Sequence, residues 1–337
     1  MEMKSKRILS AISAGALFVS LITPYNFAAA DNSNTITISN AGEFLEFAKN
    51  CTLDSWSKNK TVTLADDIDL GYNDFSPIPI FGGTFNGNGH SINGLRITAQ
   101  GSGIGIFRYV EKGGKIENLE VHGIVAPEGS QNVIGGIVGE NYGTIKDCTF
   151  GGSVTGEKNV GGIVGNNAES GQVISCETLG KVHGMTATGG IAGNNSGTLI
   201  KCENNAGINL TQDDEEELST DIDVDKILDG TETEEDSILN SCSDTGGIVG
   251  YSDGIVQSCV NHGDVGYPHV GYNAGGIAGR QSGYISGCTN DGTILGRKEV
   301  GGIVGQTEPY LSITPSEDLL GELRTELDKL TEMIDGT

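Results

Sequence analysis

From Gly135 to Gly305 the apolar residues come in short blocks of one to three, each closed by Gly, Asn or Ser, and the blocks recur in a fixed order. GGIVG opens each unit, at Gly135, Gly161, Gly246 and Gly301, with GGIAG at Gly189 and Gly275. A polar turn follows, then a G-x-aliphatic-x-x-C block such as GTIKDC or GQVISC. A second turn leads into GSVTG, GKVHG, GDVG or GTILG. Blocks this short cannot nucleate a helix, and a Gly every few residues costs a helix about 1 kcal/mol each time. The β-branched Ile and Val suit a pleated, half-buried surface, so the pattern predicts three short strands per unit.

The openings are spaced by 26, 28, 57, 29 and 26 residues. Because 57 is close to twice the ordinary spacing, the long interval reads as two coils, one of them remodelled by an insertion. A strand-turn unit that returns on itself every ~28 residues is a parallel β-solenoid, in which no coil buries its apolar side alone and stacked coils do. Ile137, Ile163, Ile191, Ile248, Ile277 and Ile303 are expected to form one interior ladder, and Val154, Val182, Val265 and Ile294 another. Gly is expected to supply left-handed corners, and Asn to tolerate them and hydrogen-bond along the stack.

Cys148, Cys176, Cys202, Cys259 and Cys288 each end the same block, and Cys242 ends the related SILNSC. Stacking sets such thiols about one strand spacing apart, ~4.8 Å. Parallel, in-register Cβ vectors make bridges between them strained, so the reading is a reduced core ladder. Cys51 lies outside the array and has no assigned role.

Composition supports repetition over a conventional core. Gly supplies 53 of 337 residues, without a triplet period, and aromatics only 6%. The formal net charge is −25. So acidic a chain repels polyanions, which excludes nucleic acid as the expected partner.

The unit GGIVG-x-N-x-G-x-I-x-x-C-x-x-x-G-x-V-x-G resembles the GLUG-motif repeat of secreted and surface bacterial proteins, especially Gram-positive ones, including adhesin-like chains and non-catalytic parts of IgA-specific peptidases. Upstream, TVTLADDIDL followed by PIPIFGGTFNGNGHSINGL is similar to the lead-in of such arrays, and SGIGIFRYVEKGGKIENLEVHG to their first coil. The resemblance spans residues 61–305 and implies a right-handed parallel β-helix. It brings no catalytic residue, because the motif has none.

The flanks complete an expected organisation. Residues 1–30 read as a secretory signal: Lys4, Lys6 and Arg7, an apolar run from Ile8 to Ile22, and Ala28-Ala29-Ala30 before Asp31. Residues 31–80 form a lead-in with a helical cap, in which Asn40 and Glu43 make a capping box before Phe44, Leu45, Phe47 and Ala48. Residues 81–310 are the solenoid, with an acidic insertion over 211–237, and 311–337 an amphipathic helix. In that helix Thr314-Pro315-Ser316-Glu317 gives the start, and Leu320, Leu323, Leu327, Leu330 and Ile334 recur every three or four residues. The seam suits docking on the last coil, an approach to a further segment, or self-association. No apolar span follows the signal.

Chemistry is sparse. DIDVDKILDGTE sets Asp221, Asp223, Asp225, Asp229 and Glu232 on a calcium-loop template, but Lys226 stands where the sharp turn needs Gly. No cofactor is expected, calcium in the insertion being the weak exception. H-E-x-x-H and G-x-S-x-G are absent, and His90, His122, His183, His262 and His269 are scattered. Asp66, Asp67 and Asp69 belong to the lead-in. The expectation is a non-enzymatic, secreted or cell-surface, adhesin-like protein that binds an extracellular glycan or protein. The alternatives are a structural stalk and a β-helical polysaccharide lyase or hydrolase.

Overall fold

The computed structural model describes residues 34–129, 131–210 and 242–309. The chain divides into Met1–Asn34 and Thr35–Thr337, and the description concerns the second unit. The signal segment, the acidic insertion with its calcium template, and the seam over 311–337 lie outside the described residues.

The unit is a parallel β-solenoid of about nine turns. Each regular coil carries four strands, not the three expected. The coil beginning at Lys158 runs through Lys158–Gly161, Val164–Asn167, Gln172–Ile174 and Glu177–His183, then re-enters the first position at Thr186–Gly189. These positions define walls I to IV, with six, seven, nine and eight strands among the described residues. Every strand pair in these sheets is parallel, as in Val160↔Thr188 and Val173↔Leu199.

The fourth strand hides inside the phrase that looks most like one strand. In GGIVG the wall I strand ends at Gly161, the pair Gly162-Ile163 makes the corner, and wall II begins at Val164. The corner keeps its place in the stack, since Ile163 N donates to Ile191 O at 3.1 Å and Ile137 N to Ile163 O at 3.1 Å.

Close approach, not left-handed conformation, demands these glycines. A Cβ on Gly161 would sit 2.7 Å from Gly193 N, and one on Gly165 2.6 Å from Ile134 N. Walls I and II therefore meet backbone against backbone. Left-handed corners fall largely on other residue types. One column precedes the Cys position, at Asn118, Asp147, Ser175, Lys201 and Ser258, with φ of 50–54°. A second runs through wall I at Val133, Asn159, Ala187, Asp244, Asn273 and Glu299.

The long interval is one coil, not two. Thr186, Thr188 and Gly189 pair directly with Ser243, Thr245 and Gly246, and Ala192 pairs with Val249. Wall IV strand Glu203–Ile208 completes this coil, and the next described strand, Ser243–Gly246, takes the following wall I position. The second interior ladder accordingly contains a member the sequence pattern passed over: Val154↔Val182, Val182↔Ile208, Ile208↔Val265 and Val265↔Ile294. Ile208 sits in GINL, which lacks the closing Gly of its counterparts.

Five cysteines form a column. Thiols of Cys148, Cys176, Cys202, Cys259 and Cys288 are unbridged, and each Sγ donates to the carbonyl two residues before it, as Cys176 does to Ile174 O at 3.4 Å. Cys242 stands apart, immediately before the re-entering strand, with its Sγ 3.9 Å from Gly184 O. Burial raises the Cys176 thiol well above its ordinary value. Hydrogen bonding with Cys202, partly offset by Cys288 and reinforced by burial, pushes Cys259 up to about 12.

Amides make a second kind of column inside the coils. Asn141 Nδ2 donates to Asn167 Oδ1 at 2.8 Å, Asn167 to Asn195 at 2.8 Å, and Asn195 to Ser252 Oγ at 3.0 Å. Asn204, Asn261 and Asn290 repeat the device at 2.7 Å per step. Buried amides carry a desolvation cost unless every group is satisfied, and stacking like on like satisfies them coil after coil.

The helix near the front forms over Ala41–Asn50, with Asn40 Oδ1 accepting from Glu43 N at 3.0 Å and Glu43 Oε2 from Ser39 N at 2.7 Å. Phe44 and Phe47 are its buried aromatic residues, and they pack on Phe75, Phe81 and Phe85. No helix among the described residues is long and apolar enough to cross a membrane.

Candidate functional site

Outward side chains repeat once per coil, so a functional surface on this fold is a column. Wall IV carries the column richest in chemistry. The residue just after the Cys position faces out of each wall IV strand, and register places Glu120, Thr149, Glu177, Glu203, Val260 and Thr289 in line. Two residues further along stand His122, Asn205 and His262.

These columns join into a network over four coils. Asn205 Nδ2 donates to Glu177 Oε1 at 2.9 Å and to Glu203 Oε1 at 3.0 Å, holding together two carboxylates of neighbouring coils that would otherwise repel. His262 continues it, with Nε2 3.6 Å from Glu203 Oε1 and Nδ1 3.1 Å from Asp291 Oδ2. Nearer the front, His122 Nε2 lies 2.6 Å from Glu120 Oε1. The network is solvent-accessible, with the His262 side chain 40% and that of Asp291 68% exposed. It offers carboxylate acceptors and imidazole at about one strand spacing, ~4.8 Å per coil. It contains no nucleophilic Ser, Cys or Lys.

The Tyr rings on and beside wall II have occupied faces. Tyr109 stacks on Tyr142 at 4.9 Å, and the Arg280 guanidinium covers Tyr251 at 4.6 Å. Arg280 also pairs with the buried Asp244 at 2.9 Å and with Glu308 at 3.1 Å. The charge of Arg280 is thus met inside the stack, by Asp244 of wall I and by Glu308.

The residues singled out in the sequence do not converge. Asp67 Oδ1 accepts from Ser91 N at 2.8 Å, which holds its carboxyl below the usual value, and lies 3.5 Å from His90 Nδ1. Asp69 Oδ1 accepts from Gly71 N in a turn. His90, His122 and His262 each pair with a carboxylate of their own neighbourhood. Among the described residues no three His, Cys, Asp or Glu side chains group so as to hold a metal ion. Sequence reasoning missed the wall IV network, although Glu177 and Glu203 both directly follow a repeat Cys.

Parallel strands stacked in four walls, with amide and thiol columns inside, define a β-solenoid repeat protein. The chain matches, over residues 130–155, the family described as the GLUG motif. It is 32% identical over 136 residues to halomucin of Haloquadratum walsbyi, an alignment covering 36% of this chain. The match takes in 2% of halomucin's own length. Among solved structures, a proposed immunoglobulin A1 protease from Bacteroides ovatus is similar with a TM-score of 0.50. That likeness covers 81% of this chain and 84% of the other at 18% identity, and it bears on the fold alone.

Proposed function

We propose that the protein is a secreted or surface-displayed, non-enzymatic binding solenoid whose wall IV face engages an extracellular glycan. The observation that carries this reading is the Glu177–Asn205–Glu203–His262–Asp291 network, an exposed row of hydrogen-bonding groups repeating with the coils. Extended polysaccharides present hydroxyls at a similar repeat, so one chain laid along the stack meets hydrogen-bonding groups in four successive coils: Glu177, then Glu203 and Asn205, then His262, then Asp291. The net charge of −25 and the carboxylates of the wall favour a neutral or amino-sugar chain and oppose an acidic one. The same charge argues against the lyase reading, whose substrates are acidic polysaccharides. Location outside the cell is supported by the signal-like residues 1–30 and by the GLUG motif. Right-handed winding is part of the proposal, as the sense that parallel crossovers prefer.

A second reading, a structural stalk, draws on the stack itself, since nine turns at ~4.8 Å make a rod of about 40 Å. A glycan array probed with the chain from Asp31 separates the two. Saturable binding to neutral or amino-sugar glycans, lost in Glu177→Gln/Glu203→Gln/Asp291→Asn, supports the binding face. No saturable binding to any glycan leaves the stalk, and release of unsaturated sugars from an acidic polysaccharide would overturn both.

A further inference from the structure

The thiol column is more regular than packing requires. Besides the carbonyl two residues before it, each Sγ reaches one carbonyl of the preceding coil, that of Ile116, Ile145, Val173, Leu199 and Val256 in turn, at 3.5–3.8 Å. The five side chains therefore share one orientation, and successive sulfurs are separated by the rise of one coil, about 4.8 Å. Sulfur is not needed to fill the space. Leu119 holds the same position one coil before Cys148, its carbonyl accepting from Thr149 N at 2.9 Å as that of Cys148 accepts from Glu177 N at 2.9 Å, and it is equally buried. Cys148, Cys176, Cys202 and Cys259 are closed to solvent, whereas Cys288 is half-buried and opens the column. At that opening Cys259 N donates to Cys288 Sγ at 3.4 Å.

We propose that Cys259 and Cys288 form a binding site for one soft divalent cation that takes two ligands in line, held between the two sulfurs as an uncharged bis-thiolate. The spacing fits such an ion. Two metal–sulfur bonds of about 2.3 Å laid end to end span about 4.6 Å, close to the rise of about 4.8 Å per coil. Side chains that point across the stack let a cation on the line between the sulfurs meet each Cβ–Sγ bond near a right angle, the bend that sulfur prefers. A disulfide, with its sulfurs about 2 Å apart, does not suit the same spacing. Thiolates select soft ions, and no three His, Cys, Asp or Glu side chains among the described residues group to complete the tetrahedral shell that Zn(II) asks for. Burial adds a charge criterion, because two thiolates cancel a divalent ion but leave a monovalent one with an uncompensated negative charge in the interior. Binding breaks two S–H bonds, forms two metal–sulfur bonds and sends two protons to water, with no electron transfer. The inference does not depend on wall IV or its ligand.

The test uses the folded chain with its thiols reduced, and Hg(II) as the probe. One equivalent should raise the mass of the native protein by one mercury less two protons, and an unbuffered titration should register the two protons. Digestion should return a mercury-linked pair of peptides carrying Cys259 and Cys288, and Cys288→Ala should lose that pair while keeping its β circular dichroism. Mercury on single thiols only, or linking any other pair of cysteines, overturns the proposal, as does a folded chain that takes up none. A Zn(II) adduct that Cys288→Ala abolishes would overturn the linear geometry. If Cys288→Ala does not fold, the peptide map of the unsubstituted chain decides by itself.

Discussion

Asn195 donates its side-chain amide to Ser252 Oγ at 3.0 Å although 57 residues separate them in sequence. The two are successive members of one interior column, so residues 211–241 add no member to it. The join can be located. Ser243 N donates to Met185 O, and Asn209 Oδ1 accepts from Gly184 N, so Leu210 and Cys242 fall where Gly184 and Met185 adjoin one coil earlier. A chain lacking residues 211–241, with Leu210 joined directly to Cys242, is therefore expected to fold with every ladder intact. Its melting temperature should lie within a few degrees of the full chain, because loop length enters stability only logarithmically. Circular dichroism with thermal melting checks this, and loss of β structure would show that residues 211–241 are needed to hold the coils together.

The amide columns should be costly to interrupt. Asn167 lies between Asn141 and Asn195 and also donates to Gly171 O at 3.2 Å, all fully inside. Asn167→Ala leaves neighbours on both sides short of a partner and should destabilise by about 2–4 kcal/mol. Urea titration measures it, and a change under about 0.5 kcal/mol would mean that the column contributes little.

One wall I position is poorly matched to its backbone. Val133 has φ of 62°, a conformation hostile to a β-branched residue, while the same column holds Asn159 and Asn273. Val133→Asn should stabilise by about 0.5–1 kcal/mol, read as a rise in melting temperature. A fall would mean that Val133 earns its place by packing.

Thiol ionisation predicts alkaline sensitivity. Cys51, through burial, and Cys259, chiefly through Cys202, are pushed up to about 12, and Cys176 is raised as well. A thiol whose folded value is raised favours the folded chain fully below its unfolded value of about 8.5. That contribution is lost as pH climbs from there towards the folded value, so urea midpoints should fall progressively above about pH 9 under reducing conditions. Cys259→Ala, less stable near neutrality, should show a shallower fall. An identical slope would show that the ladder is not the cause.

What could be read from the sequence was what recurs at a constant interval. The Ile137–Ile303 column, the five-thiol column and the capping interaction of Asn40 with Glu43 all follow from spacing and residue type, and the hydrogen bonds and register bear them out. Three things were not legible. Gly162-Ile163 turns a corner inside an apolar block, and only backbone contact between walls I and II reveals why. The interval of 57 residues fits two coils numerically, and only the pairing of Gly189 with Gly246 reveals a single coil. The wall IV network joins Glu177, Glu203 and Asp291 from different coils, so its proximity exists only once the register is known. A binding column on a repeat fold is invisible along one unit because each unit contributes a single residue.

The register between the strands on either side of residues 211–241 is the claim on which the interior ladders and the wall IV network both rest, and methyl-labelled NMR tests it most directly. Ile191 N donates to Ile248 O at 2.9 Å, so the side chains of these residues, both fully buried, should give a strong methyl–methyl NOE. Absence of that cross-peak, with Ile191 instead in contact with a residue between 211 and 241, would contradict the single-coil stack.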